Sequence, residues 1–310
     1  MMSDKIKGAL YGVAVGDALG APWEGWRPKT LFGKYGVIKD MMQFDVAWAL
    51  GEFTDDTWLT LATARAYDGD KFSPQKAGLA MVIWMQAIGK GIGKLTNMAL
   101  SNLSSGRCDI YTSGHKALAS QAAGRGASNG SLMKCISTGL VHSYKSINDI
   151  KKESIVLSEI THADPKCVAS CVGYNIVVAG LLDNKNSIDL FRVAQDVTKK
   201  IDKETSDIFG YIADGEDSRF DPSILKGMGY VFRALDRSLV ACRDAVSFED
   251  EMIEVVNEGG DTDTNAAIAG GLLGVRFGYN AIPDRWIEPL LNKDEIEEVY
   301  EIIMKYRGRA

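Results

Sequence analysis

The sequence predicts an all-α fold built as one domain over residues 1–310, and three observations carry that expectation. From residue 146 onward one helical pattern follows another. Nowhere do apolar and polar residues alternate over a length that would make a half-buried strand. Near the N-terminus, Gly8, Gly12, Gly16 and Gly20 fall four apart within 4–20, which puts all four on one face of a helix. Glycine inside a helix costs roughly 1 kcal/mol against alanine, so four on one face imply that another backbone approaches there. Membrane helices use the same spacing, but Lys7 and Asp17 exclude a span.

The elements follow in order. Asp17 falls beside Gly16, at the edge of the glycine contact. Residues 21–26 read as loop, with Pro22 and Gly25 bracketing Glu24 in a segment free to close, and with Trp23 and Trp26 available to shield that carboxylate from water. Residues 27–53 read as irregular, and a loop of that length in a compact domain is functional or mobile. A helix starts at Asp55 or Asp56 and runs to about Tyr67. Ser73 and Pro74 supply an N-cap and a first-turn proline for a helix ending near Ala87. A glycine-rich turn over 88–94 precedes two short helices within 95–122. The loop Gly124-Arg125-Gly126-Ala127-Ser128-Asn129-Gly130 opens into 131–134, read as a helix start. Helices then follow at 147–160, 165–182, 187–202, 223–242, 248–257, 262–277 and 293–307. Ser146 with Asp149 reads as a capping box, Asp221-Pro222 and Ser247-x-x-Asp250 mark two further starts, and 203–222 reads as a polar linker.

Composition bounds the function. Of the 310 residues, 46% are hydrophobic and 25% charged, ordinary values for a soluble globular protein. A net charge of −6 argues against a nucleic-acid or anionic-membrane surface. The five cysteines (Cys108, Cys135, Cys167, Cys171 and Cys242) are odd in number and form no Cys-x-x-Cys, so a disulfide scaffold and a zinc site are not expected. Cys167 and Cys171 are expected to share a helix face as small buried residues. Lys5 and Lys7 before an apolar run imitate a signal peptide until Asp17 breaks it, and no 18-residue uncharged span exists. The expectation is a soluble, cytoplasmic, monomeric protein.

Two stretches carry chemistry. Gly51-Glu52-Phe53-Thr54-Asp55-Asp56-Thr57 and, some two hundred residues later, Asn257-Glu258-Gly259-Gly260-Asp261-Thr262-Asp263-Thr264-Asn265 each set two carboxylates beside threonine hydroxyls where a turn enters a helix. Asp and Thr are ordinary N-caps. A cap needs one side-chain oxygen, however, and each stretch offers three or four, which are the ligands hard divalent cations prefer. The glycine-rich loop reads either as an anion cradle at a helix N-terminus or as a plain turn. His162, in Thr161-His162-Ala163-Asp164-Pro165, reads either as a satisfied structural histidine or as a functional one.

These residues resemble the ADP-ribosylglycohydrolase family. The matching pieces are Gly16-Asp17-Ala18-Leu19-Gly20-Ala21-Pro22-x-Glu24, Thr54-Asp55-Asp56-Thr57, Asn129-Gly130-Ser131-x-Met133, Thr161-His162-x-Asp164 and Gly260-Asp261-Thr262-Asp263-Thr264-Asn265-Ala266, in family order and spanning almost the whole chain. The resemblance implies a compact orthogonal helical bundle with a binuclear Mg²⁺ or Mn²⁺ centre held by Thr54, Asp55, Asp56, Asp261, Asp263 and Thr264. It implies hydrolysis of the glycosidic bond between ADP-ribose and an acceptor on a protein or small molecule. Gly126, Ala127, Ser128 and Asn129 would meet the diphosphate, His162 would line the pocket, and Glu24 would sit on a covering loop. Glu24, Asp55 and Asp56 are the candidate acid–base groups. Gly91 stands where arginine-specific relatives carry an acid, so the resemblance does not extend to arginine as acceptor, and Lys134 replaces the usual Arg. The alternative is a catalytically inactive, ADP-ribose-binding or crystallin-like member of the same fold.

Overall fold

The computed structural model describes residues 1–43, 48–122 and 125–308; Gly124 of the glycine-rich loop and 44–47 of the irregular segment lie outside the described residues. Among them the secondary structure is helical: α1 Met2–Gly20, α2 Pro28–Tyr35, α3 Asp55–Ala64, α4 Pro74–Ala87, α5 Lys94–Ser104, α6 Ser113–Ala119, α7 Ser137–Val141, α8 Ile147–Glu159, α9 Pro165–Leu182, α10 Ser187–Thr198, α11 Lys203–Ala213, α12 Val231–Asp244, α13 Phe248–Asn257, α14 Thr262–Phe277, α15 Asp284–Ile287 and α16 Lys293–Arg307. No strand forms among these residues; one isolated antiparallel bridge joins Ser128 to Tyr230.

The glycine stripe finds its partner in α14. A methyl group at Gly12 would sit 2.1 Å from the Gly270 carbonyl oxygen, and one at Gly16 would sit 2.1 Å from that of Ala266. Gly270 and Gly274, four apart on α14, return the contact, each placing an added methyl about 2 Å from the carbonyl oxygen of Gly12 or Gly8. Two backbones therefore pass at a distance no side chain permits, and α1 with α14 forms the most extensive helix pair described. The last glycine, Gly20, lies against the backbone of Asp263, so the seam ends at the first turn of α14.

Around this pair, α9 forms the centre of the core. It is long and apolar enough to cross a membrane, yet 89% of it is buried inside the fold, so its apolar character serves packing. Cys167 and Cys171 are buried on it, and all five cysteines are free thiols.

Several expected boundaries move. Residues 28–35 form a helix because Pro28 fixes its first turn; with only Leu31 buried, its apolar pattern is too thin to read. The expected linker 203–222 is helical as far as Ala213. Asp202 caps α11 by accepting from the Thr205 N–H, and Ile208, Phe209 and Ile212 bury its inner face. The expected helix 223–242 begins only at Val231, after turns that hold Asp221 and Pro222. Residues 131–134 lie in a 3₁₀ turn, Asn129–Lys134, rather than an α-helix start. The Ser146 side chain makes no capping bond, whereas Ser247 accepts from the Asp250 N–H as expected.

Candidate active site

Two helix starts meet at the end of the glycine seam. At α3, Thr54 is the N-cap: its hydroxyl accepts from the Asp56 N–H and donates to Asp56 Oδ2 at 3.0 Å. Beneath it lies Asp17 of α1, fully buried. Its carboxylate accepts from the N–H of Thr54 at 3.0 Å with both oxygens, from the N–H of Thr57 at 3.0 Å and from the Thr57 hydroxyl at 2.6 Å. These bonds satisfy N–H groups that a helix start leaves without an intrahelical partner. They also fix where Asp55 and Asp56 project.

At α14, Gly259 and Gly260 turn the chain with φ of +67° and +76°, a region that favours glycine. Asp261 occupies the N-cap position but makes no capping bond, which leaves its carboxylate for other partners. Its Oδ2 accepts from Asn129 Nδ2 at 2.6 Å. Asp263 and Thr264 follow in the first turn, and the Thr264 hydroxyl lies 3.4 Å from Asp56 Oδ2, linking the two starts directly.

Crowding shows in the acidities. Burial, then the neighbouring Asp17, pushes Asp55 up to about 7. Burial, then Asp17 and Asp263, holds Asp56 well above the usual carboxylate range. Burial raises Asp261 to about 6 against the opposing hydrogen bond from Asn129, and burial with Asp261 and Glu24 raises Asp263 further. No lysine or arginine forms an ion pair with these acids among the described residues. Oxygens of Glu24, Asp261 and Asp263 come within 4.8 Å of one another, and Asp56 Oδ1 is buried without a hydrogen-bond partner. All-oxygen donors, an orphaned carboxylate oxygen and uncompensated negative charge fit a hard divalent cation.

The acids line a cavity of about 460 Å³, shared with Ser128, Asn129, Gly130 and His162. The loop holding Ser128 is pinned by two backbone bonds, Asn129 N–H to the Gly229 carbonyl at 3.0 Å and Val231 N–H to that of Ala127 at 3.1 Å. The expected cradle residues therefore separate. Ser128 faces the cavity, Asn129 turns its amide onto Asp261, and Ala127 lines a neighbouring cavity. Gly126 is buried against Leu118 and lines neither. The neighbouring cavity, about 590 Å³, is lined by Arg125, Ser128, Phe220, Lys226, Tyr230 and Arg233.

Glu24 stands exposed at the rim. Trp23 is fully buried and packs edge to face against Trp26 with ring centroids 6.3 Å apart, and burial raises the Glu24 carboxyl above its ordinary range. The loop expected to move is tied to the α14 turn by Gly25 N–H to the Gly260 carbonyl at 2.7 Å and Gly260 N–H to that of Trp26 at 2.8 Å. A movement of Glu24 would therefore load the turn that carries Asp261. Gly91, with φ of +84°, lies so close that a methyl group there would sit 3.0 Å from Asp55 Oδ1.

Sequence reasoning quoted Asp17 and Thr57 within its motifs but gave neither a role in this site. The signal for Asp17 was present: it is the only charged residue between Lys7 and Glu24.

A model of the ADP-ribosylglycohydrolase family matches residues 2–310. The chain belongs to that family. An ADP-ribosyl-[dinitrogen reductase] glycohydrolase of Rhodospirillum rubrum is 25% identical over 95% of this chain and 92% of its own. An ADP-ribosylarginine hydrolase of Serratia proteamaculans is 26% identical over 96% and 78%. A solved structure titled ADP-ribosylglycohydrolase-related protein complex, 24% identical, superposes with a TM-score of 0.80 over 99% of both chains, which shows a shared fold. In this member of the family, acids from α3 and from the start of α14 thus gather in one cavity, beside the loop that carries Ser128.

Proposed function

We propose that this protein hydrolyses the bond between ADP-ribose and an acceptor on a protein or small molecule, with two Mg²⁺ or Mn²⁺ ions, and releases intact ADP-ribose. The observation that carries the reading is that Asp55, Asp56, Asp261 and Asp263 line one cavity, with Asp56 Oδ1 buried and unbonded and with no cation ion-paired to these acids among the described residues. Thr54, Asp55, Asp56, Asp261, Asp263 and Thr264 would hold the ions. Such ions supply a hydroxide near neutral pH and a grip on ribose hydroxyls.

The chain's own residues do the rest. Asp55 or Asp56, through an oxygen left unligated, takes the proton of the attacking water, and Glu24 at the rim protonates or positions the leaving acceptor. Ser128, with Arg125 at the cavity edge, faces the diphosphate. The adjoining cavity suits the adenosine: Phe220 and Tyr230 offer ring faces, and Arg233 stacks 5.7 Å from the centre of Phe220. On the acceptor side Gly91 offers no carboxylate to a guanidinium. Lys90 nearby is already paired with Glu52 at 2.6 Å, so the reading favours acceptors other than arginine.

Mass spectrometry of the products from an ADP-ribosylated protein tests the reaction. Intact ADP-ribose is expected. AMP would make the protein a phosphohydrolase instead, and no product from any acceptor would point to a binding protein of the same fold.

A further inference from the structure

Lys134 is buried directly behind the ligand cavity, 1% exposed, and forms no ion pair among the described residues. Its ammonium donates to the Gly130 carbonyl oxygen and, at 2.8 Å, to the Thr161 hydroxyl oxygen. The Thr161 hydroxyl lies 2.9 Å from His162 Nδ1, and His162 Nε2 lies 2.8 Å from the Ser128 hydroxyl. Ser128 lines both cavities, at their junction. Resting on the proposed ADP-ribose reading, we propose that Lys134, Thr161, His162 and Ser128 form a one-way hydrogen-bond relay that aims the Ser128 hydroxyl proton at the ligand's diphosphate.

The direction follows from the donor count. An ammonium has protons and no lone pair, so Thr161 Oγ1 must accept from Lys134. The hydroxyl's own proton is then left for His162 Nδ1. A neutral imidazole carries one N–H, which must therefore sit on Nε2 and donate to Ser128 Oγ. The opposite tautomer would turn an N–H dipole toward the ammonium and strand the Thr161 proton. Imidazolium is excluded because burial, and then the nearby Lys134, hold His162 well below its usual range. Ser128 Oγ accepts at its oxygen and keeps its proton for the cavity, and a chain of this kind strengthens its last donor.

The arrangement also explains why the cation is hidden. A lysine inside the cavity would pair with the buried acids and compete with their metal. Placed behind the loop, it acts on the anion through two hydroxyls and an imidazole. Lys134 and Thr161 are thus positioning residues, and Lys134 does so without touching the ligand.

Nitrogen NMR of the imidazole rings in ligand-free protein, with the His162 signal identified by its loss in His162→Gln, reads the tautomer. Calorimetry with ADP-ribose and with ribose reads the consequence. The wild type should show the Nε2–H form. Thr161→Val, close in shape and without the hydroxyl, should lose that preference. It should weaken ADP-ribose binding by about tenfold, the scale of one charge-assisted hydrogen bond, with ribose binding unchanged. Thr161→Ser should restore both. An Nδ1–H tautomer in the wild type, or Thr161→Val binding ADP-ribose as tightly as wild type, would overturn the relay. A wild type that binds no ADP-ribose would instead overturn the ligand assignment and the function beneath it.

Discussion

Asp17 illustrates how one residue can set a site without being a ligand in it. All four of its observed bonds are accepted, two of them from the Thr57 N–H and hydroxyl. Asp17→Asn would keep the volume but aim an amide donor at backbone N–H groups, leaving at least one buried donor unpaired at a cost of about 1–3 kcal/mol. Calorimetric titration with Mn²⁺ should show affinity lowered by roughly tenfold or more, on that same scale; unchanged affinity would reduce Asp17 to a packing residue. The acids around it also make stability depend on pH. Asp17, Asp55 and Asp261 are raised from 3.8 to about 6, 7 and 6. The metal-free folded state therefore binds more protons than the unfolded chain between about pH 4 and about pH 7. Stability from these groups is present below that window and is lost as pH rises through it. Chelator-treated protein should melt lower at about pH 7 than at about pH 5, and Asp261→Asn should shrink the difference. A cluster contribution that rises with pH would show the carboxyls to be stabilised as anions without metal.

Between elements, the contact between α1 and α14 decides the geometry of the site. One helix carries Asp17, which holds the start of α3, and the other carries Asp263 and Thr264 behind the cap residue Asp261. Gly16→Ala would drive a methyl group to 2.1 Å from the Ala266 carbonyl oxygen, which only separation of the helices can relieve. Overpacking of this kind costs typically 1–3 kcal/mol and sometimes more. On the scale of roughly 2–4 °C per kcal/mol for somewhat smaller domains, that lowers the melting temperature by a few degrees. Gly33→Ala is the control: α2 leaves open space around Gly33, and alanine is the better helix former. Equal melting temperatures for Gly16→Ala and wild type would mean that the helices can part freely.

For the whole molecule, metal is expected to join segments some two hundred residues apart in sequence. Without cations the acids of α3 and α14 repel, and with them the same groups attract. A ligand that binds only the folded state stabilises it by about 2.7 kcal/mol at a hundredfold excess over Kd. Millimolar Mg²⁺ or Mn²⁺ should therefore raise the melting temperature of chelator-treated protein by several degrees, and Asp261→Asn should abolish most of the rise. A wild-type melting curve indifferent to both metals would leave the acidic stretches as helix caps.

Local chemistry was legible in the chain itself. The glycine spacing announced a backbone contact, the doubled acids announced two oxygen-rich helix starts, and Ser247 announced its cap, because each depends on residues close in sequence. The elements misread were those whose apolar signal is thin, such as α2 with its single buried residue, or those hidden by polar composition, such as α11. Tertiary structure alone decided which backbone met the glycine stripe, that Asp17 served α3 and that Asn129 turned to Asp261. It alone also connected Lys134 to Ser128 through two intervening side chains. Those outcomes depend on distances between segments far apart in the chain. A carboxylate or an ammonium in a sequence declares its charge and its hydrogen-bonding capacity, but its partner is fixed only when packing has removed the water that would otherwise fill that role.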